Sequence, residues 1–282
     1  MHIWVIGSHG FLGRSLLSAL TQHKIPYCGS THAEVDITDP SSLRAFAYQH
    51  PAITHIVNCA ALAHVDAAEE NPQQSYALNA LGAAHVGQIA KEIGARLLHI
   101  STVYVFGGDW SRRTPYREED PTAPVNIYGT HKLEGEERLL ELQCNLCIVR
   151  TAWLFGPEGN HFALRILDAL KAGKSIQAAQ DQTGSPTYTI DLCEALIKLL
   201  PRSGIFHICN SGSANRYEYA CAVQKLSGIP GRVEPVLATS FRTPAKRPTY
   251  SVLESYHFPK LRPWRDALQE YIPLPLQTPP KD

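Results

Sequence analysis

The chain has no charge of one sign to spare. Lys and Arg number 26 and Asp and Glu number 26, so the formal net charge is zero. That balance argues against the basic footprint of a nucleic-acid binder. No apolar run reaches membrane-spanning length. The start, MHIWVIG, lacks the basic segment and cleavage site of a secretory signal. There is no internal repeat. The cysteines (Cys28, Cys59, Cys144, Cys147, Cys193, Cys209 and Cys221) are odd in number, dispersed and mostly in apolar surroundings. They read as reduced thiols of a cytoplasmic protein rather than a disulfide framework. Cys144 and Cys147 make one C-x-x-C, but no second pair stands at zinc-site spacing, and no metal is expected.

What is present is alternation. HIWVI, IPYCGS, THIVNCAA, RLLHIS and CNLCIVR read as strands, separated by amphipathic helical stretches. Asp39 and Pro40 suit the cap and first position of one helix, and a long helical region is expected from about Gln73 to Ile93. Apolar strands alternating with helices predict an α/β fold with a doubly wound parallel sheet covered on both faces. Residues 1–150 are expected to form this domain, with 189–210 returning to it. Residues 151–282 are expected to be mostly a smaller C-terminal lobe, with helices near 161–172, 189–200 and 216–227. The tail 273–282 is Pro-rich and is expected to be irregular.

Ligands of such sheets bind at the carboxyl ends of the strands. The first strand ends in GSHGFLG, with Gly7, Gly10 and Gly13 leading into a helix. Small residues there let a backbone approach a pyrophosphate, and the helix N-terminus supplies N–H donors. The spacing is G-x-x-G-x-x-G rather than G-x-G-x-x-G. No carboxylate stands directly at the end of the second strand, where one would grip a ribose hydroxyl; Glu34 and Asp36 follow slightly later. This leans towards NADPH, with NADH possible. Arg14 is a candidate for a 2′-phosphate, or a solvated helix residue. The fourth strand ends in the hydroxyls Ser101 and Thr102. Tyr128 and Lys132 then fall four apart, on one face of a helix.

Six blocks, in order, extend this pattern: VNCAALAHVDAAEENP with YALNA, STVYVF, APVNIYGTHKLEGE, RTAWLFGPEGNHF, DQTGSPT and TPAKRPTYSVL. Together they resemble the extended short-chain dehydrogenase/reductase superfamily, and within it the dTDP-4-dehydrorhamnose reductase family, to about residue 253. The resemblance implies a Rossmann-like domain, a smaller C-terminal substrate-binding lobe, and an NAD(P)H-dependent 4-keto reduction in nucleotide-sugar and cell-surface polysaccharide biosynthesis. It implies a nucleotide-sugar partner, neither nucleic acid nor membrane, and a monomer or homodimer.

By motif, the resemblance makes Thr102, Tyr128 and Lys132 the catalytic set. It assigns the pyrophosphate turn to Gly7, His9, Gly10, Phe11, Leu12 and Gly13, and the adenine side to Asp36 and Ile37. Cys59, Ala60, Ala61, Ala63 and Asn79 line the ribose side, with Tyr128 and Lys132 also touching the cofactor. Substrate positions are Val65, Thr102, Val103, Tyr104, Tyr128, Trp153 and Asn160, with Lys246 and Arg247 as a cluster for the diphosphate. Lys132 is expected to lower the tyrosine pKa by on the order of two units before burial offsets it.

Two positions depart from the family pattern. Val103 replaces an aspartate that faces the sugar, which favours a less polar sugar there or else simple packing of the valine in the strand. Ser15 stands where some relatives carry an acid for a magnesium-linked dimer contact. Two other readings therefore stand beside the reductase. One is an epimerase or reductase of a different nucleotide sugar. The other is a non-catalytic NADP-binding subunit like the regulatory β subunit of methionine adenosyltransferase.

Overall fold

The computed structural model describes residues 1–272; the Pro-rich tail expected over 273–282 lies outside the described residues. Its centre is a parallel sheet of β1 (Ile3–Ile6), β2 (Tyr27–Ser30), β3 (His55–Asn58), β4 (Arg96–Thr102), β5 (Leu146–Thr151) and β6 (Gly204–His207). The spatial order is β2-β1-β3-β4-β5-β6. The helices are α1 (Phe11–Gln22), α2 (Pro40–Gln49), α3 (Val65–Glu70), α4 (Pro72–Tyr76), α5 (Gly82–Glu92), α6 (Ile127–Glu141), α7 (Phe162–Lys171), α8 (Thr189–Leu199), α9 (Arg216–Ser227) and α10 (Trp264–Tyr271).

Continuous apolar strands demand cover on both faces. On one face Leu12, Leu16 and Leu20 of α1 meet Leu192, Leu196 and Leu199 of α8 over Ile3, Val5 and Val149. On the other, Leu43 of α2, Val86 and Ile89 of α5 and Leu139 of α6 bury Trp4, Ile6 and Ile56. Residues 189–210 thus supply a covering helix and the sixth strand, which pairs with β5. A further apolar cluster joins α7, α9 and α10 around Phe155, Tyr188 and Trp264.

Asp39 caps α2, its carboxylate accepting from the Ser41 N–H at 2.9 Å, with Pro40 at the first position. The helix expected over Gln73–Ile93 is divided: α4 passes into a π-helical turn, Ala77–Leu81, before α5 begins. Such turns widen a helix by one residue and cluster at functional sites. Here the turn lets Asn79 reach sideways. Its amide donates to the Leu62 carbonyl at 3.2 Å and accepts from the Leu62 N–H at 3.0 Å, which pins the loop after β3.

The chain leaves β1 towards β2 on one side, then crosses to β3 on the other. This reversal opens a crevice above the carboxyl ends of β1 and β3. Ile6 pairs with Asn58, and Asn58 with His99, so those ends lie level.

Candidate active site

Gly7 turns at φ +77°, a conformation natural to glycine. A Cβ there would lie 2.9 Å from the Ala60 nitrogen, so the first turn and the loop after β3 meet backbone to backbone. A Cβ on Gly13 would fall 2.2 Å from the Gly7 carbonyl oxygen. Gly10 opens α1 with no side-chain cap, which leaves the N–H donors of its first turn free for an anion. This cradle fits a dinucleotide pyrophosphate. Gly13→Ala should push the turn apart and weaken dinucleotide binding by about tenfold or more, roughly 1.4 kcal/mol, in a fluorescence titration.

Two expectations about the adenine end need correction. Arg14 is not left for a 2′-phosphate: its Nε lies 3.0 Å from Glu158, which ties α1 to the loop after β5. A carboxylate does reach the end of β2, because Glu34 folds back to accept from the Thr31 N–H and hydroxyl, both at 2.8 Å. His9 is exposed. Asp36 accepts from the Thr38 N–H and hydroxyl, both at 2.8 Å, and Ile37 is buried in the core.

A cavity of about 420 Å³ opens beyond the glycine turn. Gly10, Phe11 and Leu12 line one end, Cys59, Ala61, Ala63 and Val65 one wall, and Thr102, Val103, Tyr104, Tyr128 and Lys132 the floor. Trp153 and Asn160 close the far side. Four separate strand ends and a helix therefore bring most of the anticipated residues together. A second cavity of about 660 Å³ continues from it and shares Tyr104, Trp153 and Asn160.

The floor is built by α6. Asn126 caps it, accepting from the Gly129 N–H at 2.8 Å, while its amide donates to the Lys246 carbonyl at 2.9 Å. Gly129 is needed because a Cβ would fall 2.1 Å from the Tyr104 carbonyl oxygen; at Gly135 it would fall 2.3 Å from that of Asn79. The two glycines let α6 lie tight against the end of β4 and the π turn, which buries Tyr128 and Lys132 at the cavity.

The Thr102 hydroxyl lies beside Tyr128, close enough to draw its pKa down, and accepts from the Tyr104 N–H at 3.2 Å. Ser101 is not available, because its hydroxyl donates to the Glu136 carboxylate. Burial pushes the Tyr128 phenol up to about 12, against the opposing pull of the Thr102 hydroxyl. Lys132 does not act on Tyr128 in the way anticipated. Its Nζ turns to the Ile100 carbonyl at 2.7 Å and to His99 Nε2 at 3.0 Å, and burial pulls its ammonium down to about 8. Desolvation favours the neutral form of both groups, and the charges acting on Lys132 are those of Glu136 and Cys59 rather than of Tyr128.

Lys246 and Arg247 do not form a free cationic cluster. Lys246 is exposed, and Arg247 is held by Asp66 at 2.7 Å. Two cations border both cavities: Arg165 of α7, which is exposed, and Arg216, half-buried at the start of α9. The Arg216 guanidinium lies 3.5 Å from the centroid of Trp153. Among the described residues it has no carboxylate partner. Burial lowers it to about 10, so it stays charged at neutral pH. Trp153 itself has φ +41°, rare for a residue with a Cβ, and its ring packs on Gly184. Thr151 and Tyr219 bring unpaired buried hydroxyls to the first cavity. Val103 lines it too, but is packed among Val105, Phe106 and Ala152.

Sequence reasoning missed Arg216, which carries no local motif. It also missed His99 and Arg150, whose signal was visible as lone polar residues inside the apolar runs RLLHIS and CIVRT. Arg150 Nη2 lies 2.6 Å from Glu136, an ion pair buried beneath the floor. No metal-binding cluster occurs among the described residues, and Ser15 donates to the Thr189 hydroxyl at 3.1 Å, joining α1 to α8.

A glycine turn at the first crossover, a crevice at the reversal point and a hydroxyl beside a buried tyrosine describe a Rossmann-like fold of the extended short-chain dehydrogenase/reductase class. The chain belongs to the RmlD substrate binding domain family, whose profile matches residues 1–274. A dTDP-4-dehydrorhamnose reductase of Mycolicibacterium smegmatis is 37% identical over 96% of this chain and 84% of its own. A dTDP-4-keto-6-deoxy-D-glucose reductase of Streptomyces niveus is 35% identical over 96% of each. The crystal structure of a Bacillus anthracis dTDP-4-dehydrorhamnose reductase in complex with NADP superposes with a TM-score of 0.92 at 33% identity, covering 96% of this chain and 98% of that one. No helix of the described residues is long and apolar enough to cross a membrane.

Proposed function

We propose that this protein reduces the 4-keto group of a dTDP-4-keto-6-deoxy sugar, dTDP-4-dehydrorhamnose to dTDP-L-rhamnose, with NADPH. The observation that carries this reading is the Thr102–Tyr128 pair. A buried phenol, protonated at neutral pH, lies beside a hydroxyl at the strand end, inside a cavity that begins at the glycine cradle. Bound nicotinamide supplies a hydride to the carbonyl carbon. Tyr128 gives its proton to the carbonyl oxygen as the C–O bond becomes an alcohol. Thr102 donates a hydrogen bond to that oxygen and keeps Tyr128 aimed. Lys132 lies one turn along α6, placed to hold ribose hydroxyls and to stabilise the phenolate left behind. The first turn of α1, Gly7 and the loop 59–63 hold the dinucleotide.

Arg216 is the side chain we assign to the substrate diphosphate, with Trp153 as its platform, in place of Lys246 and Arg247. A guanidinium that is partly desolvated and lacks a carboxylate has its donors free for phosphate oxygens. Arg216→Met should raise the KM for the nucleotide sugar by about tenfold to a hundredfold, since a lost charged hydrogen bond is worth roughly 1.5–3 kcal/mol. NADPH affinity should be unaltered. A KM equal to wild type would remove Arg216 from the substrate site.

The wall at Val103 offers no acceptor to a sugar hydroxyl, and a hydroxyl forced against it would go unpaired at roughly 1–3 kcal/mol. This supports the alternative of a sugar with less polarity at that point. Turnover of dTDP-4-keto-L-rhamnose beside a keto sugar lacking one ring hydroxyl separates the two readings. Preference for the first supports the rhamnose assignment, and preference for the second makes Val103 the specificity residue. Oxidation of NADPH with neither sugar would defeat the reductase reading.

A further inference from the structure

Lys132 sits in a hydrogen-bond chain that reaches away from the cavity into the sheet. The Ala60 N–H can only donate, and it lies 3.1 Å from Asn58 Oδ1. The other end of that amide, Nδ2, therefore faces His99 Nδ1, at 3.2 Å. An amide nitrogen also only donates, so Nδ1 is the acceptor and the proton of neutral His99 is on Nε2. Nε2 points at Lys132 Nζ, 3.0 Å away.

All three side chains are about 1% exposed, so water offers no escape from this polarity. An ammonium on Lys132 would meet a second donor in the His99 Nε2–H. To accommodate it, His99 would have to move its proton to Nδ1 and Asn58 would have to turn over, which would orphan the Ala60 N–H. Leaving a buried donor unpaired costs roughly 1–3 kcal/mol. A neutral amine resolves the chain: it accepts from His99 Nε2–H and donates to the Ile100 carbonyl, 2.7 Å away.

We propose that His99, its tautomer fixed by Asn58, is a positioning residue that favours the neutral amine of Lys132 over the ammonium in the ligand-free protein. The deepened role of Lys132 rests on the reductase reading above; the polarity of the chain does not. The other groups facing Lys132 leave this arrangement in place. Glu136, one turn on along α6, favours the charged lysine, but its carboxylate is already bound by Arg150 and by the Ser101 hydroxyl. Cys59, after β3, is a neutral thiol pushed up to about 12 by burial. Tyr128 is a neutral phenol. His99 is held well below its ordinary value by burial and by Lys132, so it does not itself become a cation at neutral pH. When Lys132 does gain its proton, the source is solvent in the cavity it lines, and one N–H bond forms with no other change of charge.

The consequence is that Lys132 changes charge near neutrality, whereas a free lysine does so near pH 10.4. The folded-state pKa is lowered, so the charged form is populated below about pH 8 and lost above it. In the free enzyme this places the basic limb of kcat/KM for NADPH near that pH.

The test is a titration of the Lys132 side chain by NMR in ligand-free full-length protein labelled at lysine Cε. The resonance is assigned by its disappearance in Lys132→Arg. Two variants reverse the polarity of the chain. Asn58→Asp accepts from both the Ala60 N–H and His99 Nδ1–H, and so frees Nε2 to accept from an ammonium. His99→Gln can present its amide oxygen to Lys132. We expect a midpoint near 8 in the wild type and an upward shift equivalent to about tenfold or more in proton affinity in either variant. Where both variants fold, as judged by circular dichroism, both should shift; one is sufficient if the other does not fold. A wild-type midpoint near that of free lysine, or variants that leave the midpoint in place, would overturn the proposal. The titration needs neither cofactor nor sugar. A protein that shifts as expected but turns over no keto sugar would therefore refute the reductase reading and leave the His99 assignment intact.

Discussion

Tyr128→Phe is expected to retain its fold and its NADPH affinity and to lose about 10²–10⁴ in turnover, the usual contribution of a positioned general acid. The lost atom is one hydroxyl. Its neighbour Thr102 has a hydroxyl that keeps the Tyr104 N–H at 3.2 Å, so little packing is disturbed. The change removes the proton source and leaves the glycine cradle untouched. KM for NADPH should move little while kcat falls, because a proton delivered only in the transition state is not a ground-state contact. Burial holds Tyr128 up at about 12, so the acid form is fully present through the neutral range. A wild-type rate in Tyr128→Phe would mean that the proton comes from elsewhere.

The second large effect is on stability. Arg150 and Glu136 form a pair about 4% and 1% exposed, with further contacts from Arg150 to the Glu118 carbonyl at 3.3 Å and from Ser101 to Glu136. Replacing Arg150 by methionine leaves a carboxylate buried with one hydroxyl for company. Removing one partner of such a pair costs roughly 3–5 kcal/mol, which should appear as a lower midpoint in urea at an unchanged slope. The double variant Arg150→Met/Glu136→Leu should recover much of that loss, because apolar packing replaces an ion pair without a stranded charge. The pair also ties β5 to α6 one turn beyond Lys132, so the single variant should lose activity before it unfolds. Equal stability of Arg150→Met and wild type would mean that Glu136 reaches water or takes up a proton at little cost.

Much of the sheet could be read from the chain because its causes are local. Short apolar runs separated by amphipathic stretches leave few alternatives, and α7, α8 and α9 begin and end within a residue or so of the expected limits. The glycine turn and the Tyr128/Lys132 spacing were legible for the same reason: each is a few residues long and acts through its own backbone. The partners of those residues were not. Lys132 was expected to attend to Tyr128, but it bonds His99, on another element, and that pairing depends on the register of β4 against α6. Asn79 was grouped with the ribose side, yet its amide grips the Leu62 backbone through a π turn that no propensity scale distinguishes from the helix around it. Lys246 and Arg247 looked like a phosphate cluster because they are adjacent. Asp66 claims one, solvent the other, and the half-buried guanidinium at both cavities belongs to Arg216.

The central claim is that hydride passes within this cavity to the 4-keto carbon of a dTDP sugar. The direct measurement supplies NADPH deuterated at its transferable nicotinamide position, together with dTDP-4-keto-L-rhamnose, and locates the label in the product by mass spectrometry and NMR. The account predicts one deuterium, carried on C4 of the dTDP-6-deoxy sugar, and labelled product formed about a hundredfold or more slowly with Tyr128→Phe. Unlabelled product, or NADPH bound without any transfer, would contradict it.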